Sequence, residues 1–174
     1  MQTITRVYDT YGQARQVVAD LEASGIKSSN INLIANKYIC DETARLEEAS
    51  AAGPSAGVGA ALGGTAGLLA GLGIIAIPGL GPVVAAGWLA ATLVGAGAGT
   101  AAGGLVGALV GAGLPEDEAH GYAEGLRRGG TVVTVRVEDR DAANVRRVLN
   151  EGSYDVAARS QAWRNEGWEG RTSF

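Results

Sequence analysis

One apolar segment decides how this chain folds. It is GVGAALGGTAGLLAGLGIIAIPGLGPVVAAGWLAATLVGAGAGTAAGGLVGALVGAG, at residues 57–113. It lies in a stretch from Ala49 to Pro115 that contains no Asp, Glu, Lys, Arg or His. The chain has 28 glycines in 174 residues, and 19 of them lie between Gly53 and Gly113. A segment this apolar and this rich in small residues is expected to pack helix on helix at close range.

Glycines recur every four residues in two runs of this segment. Residues i and i+4 share one face of a helix, so each run predicts a groove without side chains, into which another backbone can settle. An interior glycine costs a helix about 1 kcal/mol relative to alanine, so close packing has to offset that loss. We interpret ten glycines as the helix-packing and oligomerisation surface: Gly59, Gly63, Gly67, Gly71, Gly87, Gly95, Gly99, Gly103, Gly107 and Gly111.

Two prolines and two glycines between the runs predict a hairpin turn, formed by Pro78, Gly79, Gly81 and Pro82. The expected product is a helical hairpin, with one helix over residues 55–77 and the other over residues 83–113. At 1.5 Å per residue these helices would be roughly 35 and 46 Å long, enough to cross a hydrocarbon core of about 30 Å. The turn carries no charge and acidic residues flank the segment, so a soluble assembly of buried hairpins is the alternative to membrane insertion.

The charged flanks predict one α+β domain that the apolar segment interrupts. Strands are expected at residues 3–8 and 31–35 with a helix between them, which makes a βαβ unit. The second flank repeats this pattern, with strands at residues 131–137 and 154–162 around a helix. Two such units predict a split, ferredoxin-like sheet with two helices on one face, in which strands 3–8 and 131–137 are neighbours.

The expected domain bounds follow these changes in composition. The first βαβ half occupies residues 1–48 and the glycine-zipper hairpin residues 49–114. A bridging helix, opened by Pro115 and closed by Arg127 and Arg128, precedes the second βαβ half within residues 115–163. Residues 164–174 form an aromatic tail. Trp163, Trp168 and Phe174 are expected to dock this tail on the chain's own sheet or on a neighbouring subunit, with recruitment of another protein as the alternative.

Charge and cysteine content limit the classes of function. The net charge is −4, and the 14 basic residues are mixed with 18 acidic ones, so no basic surface for nucleic acid is expected. Cys40 is the single cysteine, which rules out an intramolecular disulfide. The N-terminus lacks the charged and apolar regions of a secretory signal. We therefore expect a cytoplasmic protein, with the inner membrane as a place of association.

Catalytic and cofactor signals are weak. The glycines at 57, 59 and 63 follow no strand and lack the spacing of a dinucleotide fingerprint, so no cofactor is expected. His120 lies on an acidic helix with Glu116 and Glu124 on its face, which favours ordinary ion pairing over a metal or pH-sensing site. Cys40 has no neighbouring histidine to activate it. The sequence predicts no catalytic residue and no metal site.

Three stretches resemble the bacterial general stress protein family, whose members are also described as low-temperature- or heat-induced. They are YDTYGQARQVVADLEASGI at residues 8–26, the region from GLLAGLGIIAIPGLGP to PEDEAHGYAEGLRRGG at residues 67–130, and TVVTVRVEDRDAANVRRVLNEGSYDV at residues 131–156. The resemblance implies a stress-associated protein without enzymatic activity, and it brings no catalytic residues.

The expected function is therefore that of a non-enzymatic structural protein that associates with itself. Its zipper hairpins would pack into a homo-oligomer at a membrane, with the chain itself and the lipid bilayer as partners. Two alternatives remain open at this point. One is a soluble higher-order assembly with the hairpins buried inside, and the other is a ferredoxin-like module that senses a small ligand, which would require a convergent polar pocket.

Overall fold

The computed structural model describes residues 1–36, 73–77, 81–88 and 104–171. The described chain is α+β, and its elements, in chain order, are β1 (Gln2–Tyr8), α1 (Tyr11–Ala23), a 3-10 turn (Ser28–Asn30), β2 (Ile31–Asn36), β3 (Gly73–Ile77), β4 (Gly81–Ala86), α2 (Gly104–Gly111), α3 (Glu116–Arg127), β5 (Thr131–Val137), α4 (Ala142–Asn150), β6 (Ser153–Tyr154) and α5 (Val156–Asn165).

The strands form one sheet in the order β3-β4-β2-β5-β1-β6, and every neighbouring pair is antiparallel. The longest pairing joins β1 to β5, from Gln2 opposite Val137 to Tyr8 opposite Thr131. The expected pairing of these two strands is thus confirmed, as are the strands expected at residues 3–8, 31–35 and 131–137. They are rich in Thr, Val and Ile, whose branched side chains fit a pleated surface.

One face of the sheet packs against α1 and α4. Ile4 and Tyr8 of β1 point into this core, where they meet Leu21 of α1 and Val145 and Leu149 of α4. The Tyr8 hydroxyl donates a hydrogen bond of 2.6 Å to the carbonyl of Leu149, which satisfies its polar atom inside the core. Thr10 is the N-cap of α1, and its side chain accepts a hydrogen bond from the backbone N–H of Gln13.

The opposite face packs against α2 and α3. Val7 and Val132 point into this second core and meet Leu105 and Leu109 of α2 and Leu126 of α3. Strand β5 is therefore covered on both sides, and six of its seven residues are buried. A helix is confirmed after Pro115: α3 has Pro115 as its N-cap, three acidic residues in its first turn and Arg127 in its last turn.

The prediction of helices directly before and directly after the hairpin turn is wrong. Residues 73–77 end one expected helix and residues 83–86 begin the next, but they lie in the strands β3 and β4. These strands pair with each other, and β4 extends the sheet by pairing with β2. Ile and Val are concentrated in both segments, and these β-branched residues form strands here because β2 offers an edge with which β4 can pair.

The strand expected at residues 154–162 is also wrong. Strand β6 ends at Tyr154, and α5 begins two residues later. Asp155 is the cause, because its carboxylate accepts from the backbone N–H groups of Ala157 and Ala158, at 2.8 and 3.2 Å, and so caps a helix. The residues that follow include three alanines, which favour a helix over a strand.

Candidate functional site

Helix α2 contains the last two glycines of the predicted zipper. It turns Leu105, Val106 and Leu109 into the core, whereas Gly107 and Gly111 are exposed. A Cβ placed on either glycine would meet no described atom within 4 Å. On the face of α2 opposite its core residues, the two glycines therefore form a groove that no described side chain covers.

Gly87 has a different role from the one predicted. It follows β4, where its φ of +96° is a left-handed conformation that glycine adopts without strain. A Cβ there would collide with the carbonyl oxygen of Ile31 and the side chain of Asn32. Gly87 thus permits close contact between the end of β4 and the start of β2, and it does not lie in a helix.

The remaining predicted glycines and half of the turn lie outside the described residues. This applies to Gly59, Gly63, Gly67, Gly71, Gly95, Gly99, Gly103, Pro78 and Gly79. The other two turn residues, Gly81 and Pro82, are the first two residues of β4.

A second pair of glycines four residues apart, which we did not predict as a contact, joins α3 to α5. A Cβ on Gly121 would lie 2.7 Å from Cγ1 of Val156, and one on Gly125 would lie 2.7 Å from the hydroxyl of Tyr154. Side chains from β6 and α5 therefore occupy the space that these glycines leave. The sequence does contain the signal, because GYAEG at residues 121–125 has the same spacing as the zipper runs.

The aromatic residues that follow form a buried cluster. Trp163 packs edge to face against Tyr154, with ring centroids 6.4 Å apart, and against Trp168, with centroids 6.0 Å apart. The guanidinium of Arg128 lies 5.2 Å from the Trp163 ring. Both tryptophans are buried within the chain, and Phe174 lies outside the described residues.

Next to this cluster, the buried carboxylate of Glu124 pairs with two arginines at the end of α3. Glu124 is fully buried and accepts hydrogen bonds of 2.7 Å from Arg127 and Arg128. Burial raises the pKa of this carboxyl, but the hydrogen bonds from the two arginines outweigh burial and hold the pKa below its ordinary value. Arg128 also donates to Glu166, at 2.6 Å, and so ties α3 to the residue after α5.

A polar cleft of about 580 Å³ lies beside this contact, at the edge of the sheet. Its walls come from the first turn of α3, from one face of α5 and from β1. Residues that line it include Arg6, Asp117, Glu118, Tyr122, Ser160 and Arg164. The hydroxyl of Tyr122 donates to the carbonyl of Thr5, at 2.9 Å, and burial raises the pKa of this phenol.

The weak catalytic signals of the sequence gain no support from the described geometry. His120 lies 3.8 Å from Glu116, one helical turn away, and Cys40 is outside the described residues. Within residues 1–36, 73–77, 81–88 and 104–171, no group of three His, Cys, Asp or Glu side chains is placed to hold a metal ion.

Trp88 stacks with Arg136, whose guanidinium lies 3.2 Å from the ring centroid.

No match is found for this chain among protein-family models, curated proteins or solved structures. Among the helices that the structure describes, none combines the length and apolar character that crossing a bilayer requires.

Proposed function

We propose that this protein is a non-enzymatic structural protein that assembles into a homo-oligomer through glycine faces of its apolar segment. The observation that carries the proposal is the open groove at Gly107 and Gly111 on α2. The same spacing at Gly121 and Gly125 is filled by side chains of the chain itself. A groove of this kind is a contact surface for a helix, and a second copy of the chain supplies a matching one.

The energetics of α2 support an external contact. An interior helical glycine costs about 1 kcal/mol relative to alanine, so Gly107 costs α2 about 1 kcal/mol, whereas Gly111 is the last residue of the helix. Alanine would fit at both positions without meeting a described atom. Because the described residues show no packing gain that offsets this cost, we assign the gain to contacts between subunits.

The surroundings of the groove favour a membrane or a large assembly over a free monomer. The uncharged stretch from Ala49 to Pro115 has 67 residues, and α2 belongs to it. Val110, on the flank of the groove, is 41% exposed. Our main proposal is a homo-oligomer associated with the inner face of a cytoplasmic membrane, and the alternative is a soluble assembly in which the subunits bury this surface in one another.

The ferredoxin-like architecture is part of the proposal. It is supported by the order β2-β5-β1-β6 within the sheet and by the location of α1 and α4 on one face. In this interpretation β3, β4 and α2 are additions from the inserted segment, which extend the sheet and cover its second face. The proposed association with bacterial stress rests on the resemblance of residues 8–26 and 67–156 to general stress proteins.

The test compares two glycine-to-leucine variants. The double variant Gly107→Leu/Gly111→Leu fills the groove with side chains, and Gly12→Leu introduces the same change at an exposed, open glycine in α1. We expect light scattering coupled to size-exclusion chromatography to show a smaller oligomer or aggregates for the double variant, and wild-type mass for Gly12→Leu. Equal masses for all three proteins would refute the role of the groove.

Membrane association needs a separate measurement. Lysate prepared without detergent is fractionated by ultracentrifugation, and both fractions are sized. Recovery of the wild-type oligomer in the membrane fraction, with release by the groove variant, supports the membrane form. A large oligomer that stays in the supernatant supports the soluble assembly instead, and a monomer in the supernatant contradicts both.

A further inference from the structure

Strand β3 is the last strand of the sheet, and within the described chain only one of its two edges is paired. All five of its residues pair with β4, from Gly73 opposite Ala85 to Ile77 opposite Gly81. No described strand lies on its other side. The backbone N–H and C=O groups along this outer edge of β3 are therefore a template on which a further strand can pair.

The opposite end of the sheet is protected against such pairing. Strand β6 has only two residues, and α5 begins directly after its N-cap Asp155. Further along the β1 edge, the carbonyl oxygen of Thr5 accepts hydrogen bonds from the side chains of Arg6 and Tyr122. A short edge strand and an occupied carbonyl both discourage edge-to-edge association.

The sequence of β3 lacks the residues that protect an edge strand. It is GIIAI, at residues 73–77, with no charged residue and no proline. Its one-to-one register with β4 contains no bulge. Charged side chains, prolines and bulges are the usual means of blocking an edge, and three isoleucines favour an extended strand. The outer edge of β3 is thus suited to receive another extended segment.

A second copy of the chain is the partner that fits this edge. Two identical strands that run antiparallel form an isologous contact, in which a twofold axis brings the same residues together. With the axis at Ile75, the middle residue, Gly73 of each copy lies opposite Ile77 of the other, and all five residues are paired. No like charges oppose each other across this axis, whereas a charged peptide would find no opposite charge on the strand.

We propose that β3 pairs with β3 of a second copy across a twofold axis at Ile75, so that the two sheets become one continuous sheet. Five residues from each subunit are far fewer than the about 20–30 of a stable interface, so the pairing needs a further contact. The glycine groove of α2 supplies that contact, and in this respect the inference rests on the proposed function.

The two contacts use different surfaces of the chain. Helix α2 packs on a face of the sheet and turns its glycines away from the core, whereas β3 lies at the edge of the sheet. A subunit with two separate surfaces for self-association joins two different neighbours. The edge contact therefore makes dimers, and the groove contact links these dimers into a larger assembly.

Cysteine cross-linking of the full-length protein tests this register. In a background that carries Cys40→Ser, Ile75→Cys places two thiols directly opposite each other, where the Cβ atoms of facing residues are about 4.5–5.5 Å apart. Mild oxidation should convert most subunits into disulfide-linked dimers on a non-reducing gel. Gly73→Cys is the matched control in the same strand, because its two copies would be about 13 Å apart, beyond the reach of a disulfide.

A mixed pair tests the same axis with Ile75 left intact. Gly73→Cys and Ile77→Cys are coexpressed on chains that carry tags of different length. The two proteins should form a disulfide with each other, and each expressed alone should stay unlinked. Equal cross-linking of Gly73→Cys and Ile75→Cys overturns the proposed axis, because it indicates random collisions.

Light scattering of the Cys40→Ser protein separates this inference from the proposed function. An oligomer that forms no cross-link at residue 75, and none between residues 73 and 77, overturns the β3 contact and leaves the glycine contact standing. A monomer without cross-links contradicts both.

Discussion

Replacing Gly125 with alanine tests whether glycines four residues apart create a tight helix contact in this chain. The new Cβ would lie 2.7 Å from the hydroxyl of Tyr154 and 3.4 Å from Cγ1 of Val7. Non-bonded heavy atoms are best placed about 3.5–4.0 Å apart, so the Tyr154 ring has to move. Its movement is restricted because the ring packs against Trp163 on one side and carries the guanidinium of Arg159, 4.0 Å from its centroid.

The expected magnitude follows from two opposing effects. Extra volume in a well-packed contact costs about 1–3 kcal/mol, whereas alanine gains about 1 kcal/mol over glycine in helix propensity. We expect Gly125→Ala to lower the free energy of unfolding by about 1 kcal/mol. For a chain of this size, that change lowers the melting temperature by about 2–4 °C.

Gly12→Ala is the matched control for this experiment. Gly12 is an exposed helical glycine in α1, and a Cβ added there would have no described atom within 4 Å. At Gly12 alanine brings the gain in helix propensity without a packing cost, so the melting temperature of the Gly12→Ala protein should rise. Thermal denaturation followed by circular dichroism, at one protein concentration, compares the variants. A Gly125→Ala protein that melts as high as Gly12→Ala would contradict the argument from close packing.

Three further predictions concern the second face of the sheet and its helices. Glu124→Gln should lower the free energy of unfolding by about 2 kcal/mol in urea titrations, because two arginines lose a charged acceptor. The pKa of Glu124 is lowered in the fold, so its contribution is complete above the ordinary value of 4.5 and should be lost as the pH falls from there through the lowered pKa. Burial raises the pKa of Tyr154 from 10.0 to about 12, so stability should be lost as the pH rises through this interval, with phenolate absorbance and circular dichroism changing together. Asp155→Ala should cost about 1 kcal/mol in thermal denaturation through loss of the α5 cap, whereas Asp155→Asn should stay near the wild type.

The parts of the fold that could be predicted are those in which local pattern and tertiary environment agree. Thr131–Val137 is rich in β-branched residues and occupies the middle of the sheet, so propensity and burial favour the same structure. Residues 73–77 and 83–86 show the opposite case. The regular glycine spacing around them favours long helices, but Ile and Val at the turn pair as strands because β2 offers an edge. That edge belongs to a strand of the charged flank, so no pattern within the apolar segment reveals it.

The candidate sites differ in how far the sequence can reveal them. The contact at Gly121 and Gly125 can be predicted from the sequence, because these glycines have the four-residue spacing of the zipper runs. The cleft cannot be predicted from the sequence, because its lining combines Arg6 with residues more than 100 positions later, from Asp117 onward. The open face of Gly107 and Gly111 lies between these cases: the spacing predicts a groove, and the structure shows that α2 turns this groove away from its own core.

The wrong strand prediction and the unpredicted cleft have the same physical origin. A strand continuing from Tyr154 to Ala162 would run beside β1 and pair with its outer edge. Instead, β6 pairs only with Val7 and Tyr8, because Asp155 starts a helix directly after it. The next part of the β1 edge bonds to side chains: the carbonyl oxygen of Thr5 accepts hydrogen bonds from the side chains of Tyr122 and Arg6. The helix cap thus diverts the chain from the sheet, and the space that it leaves, bounded by α3 and α5, is the cleft.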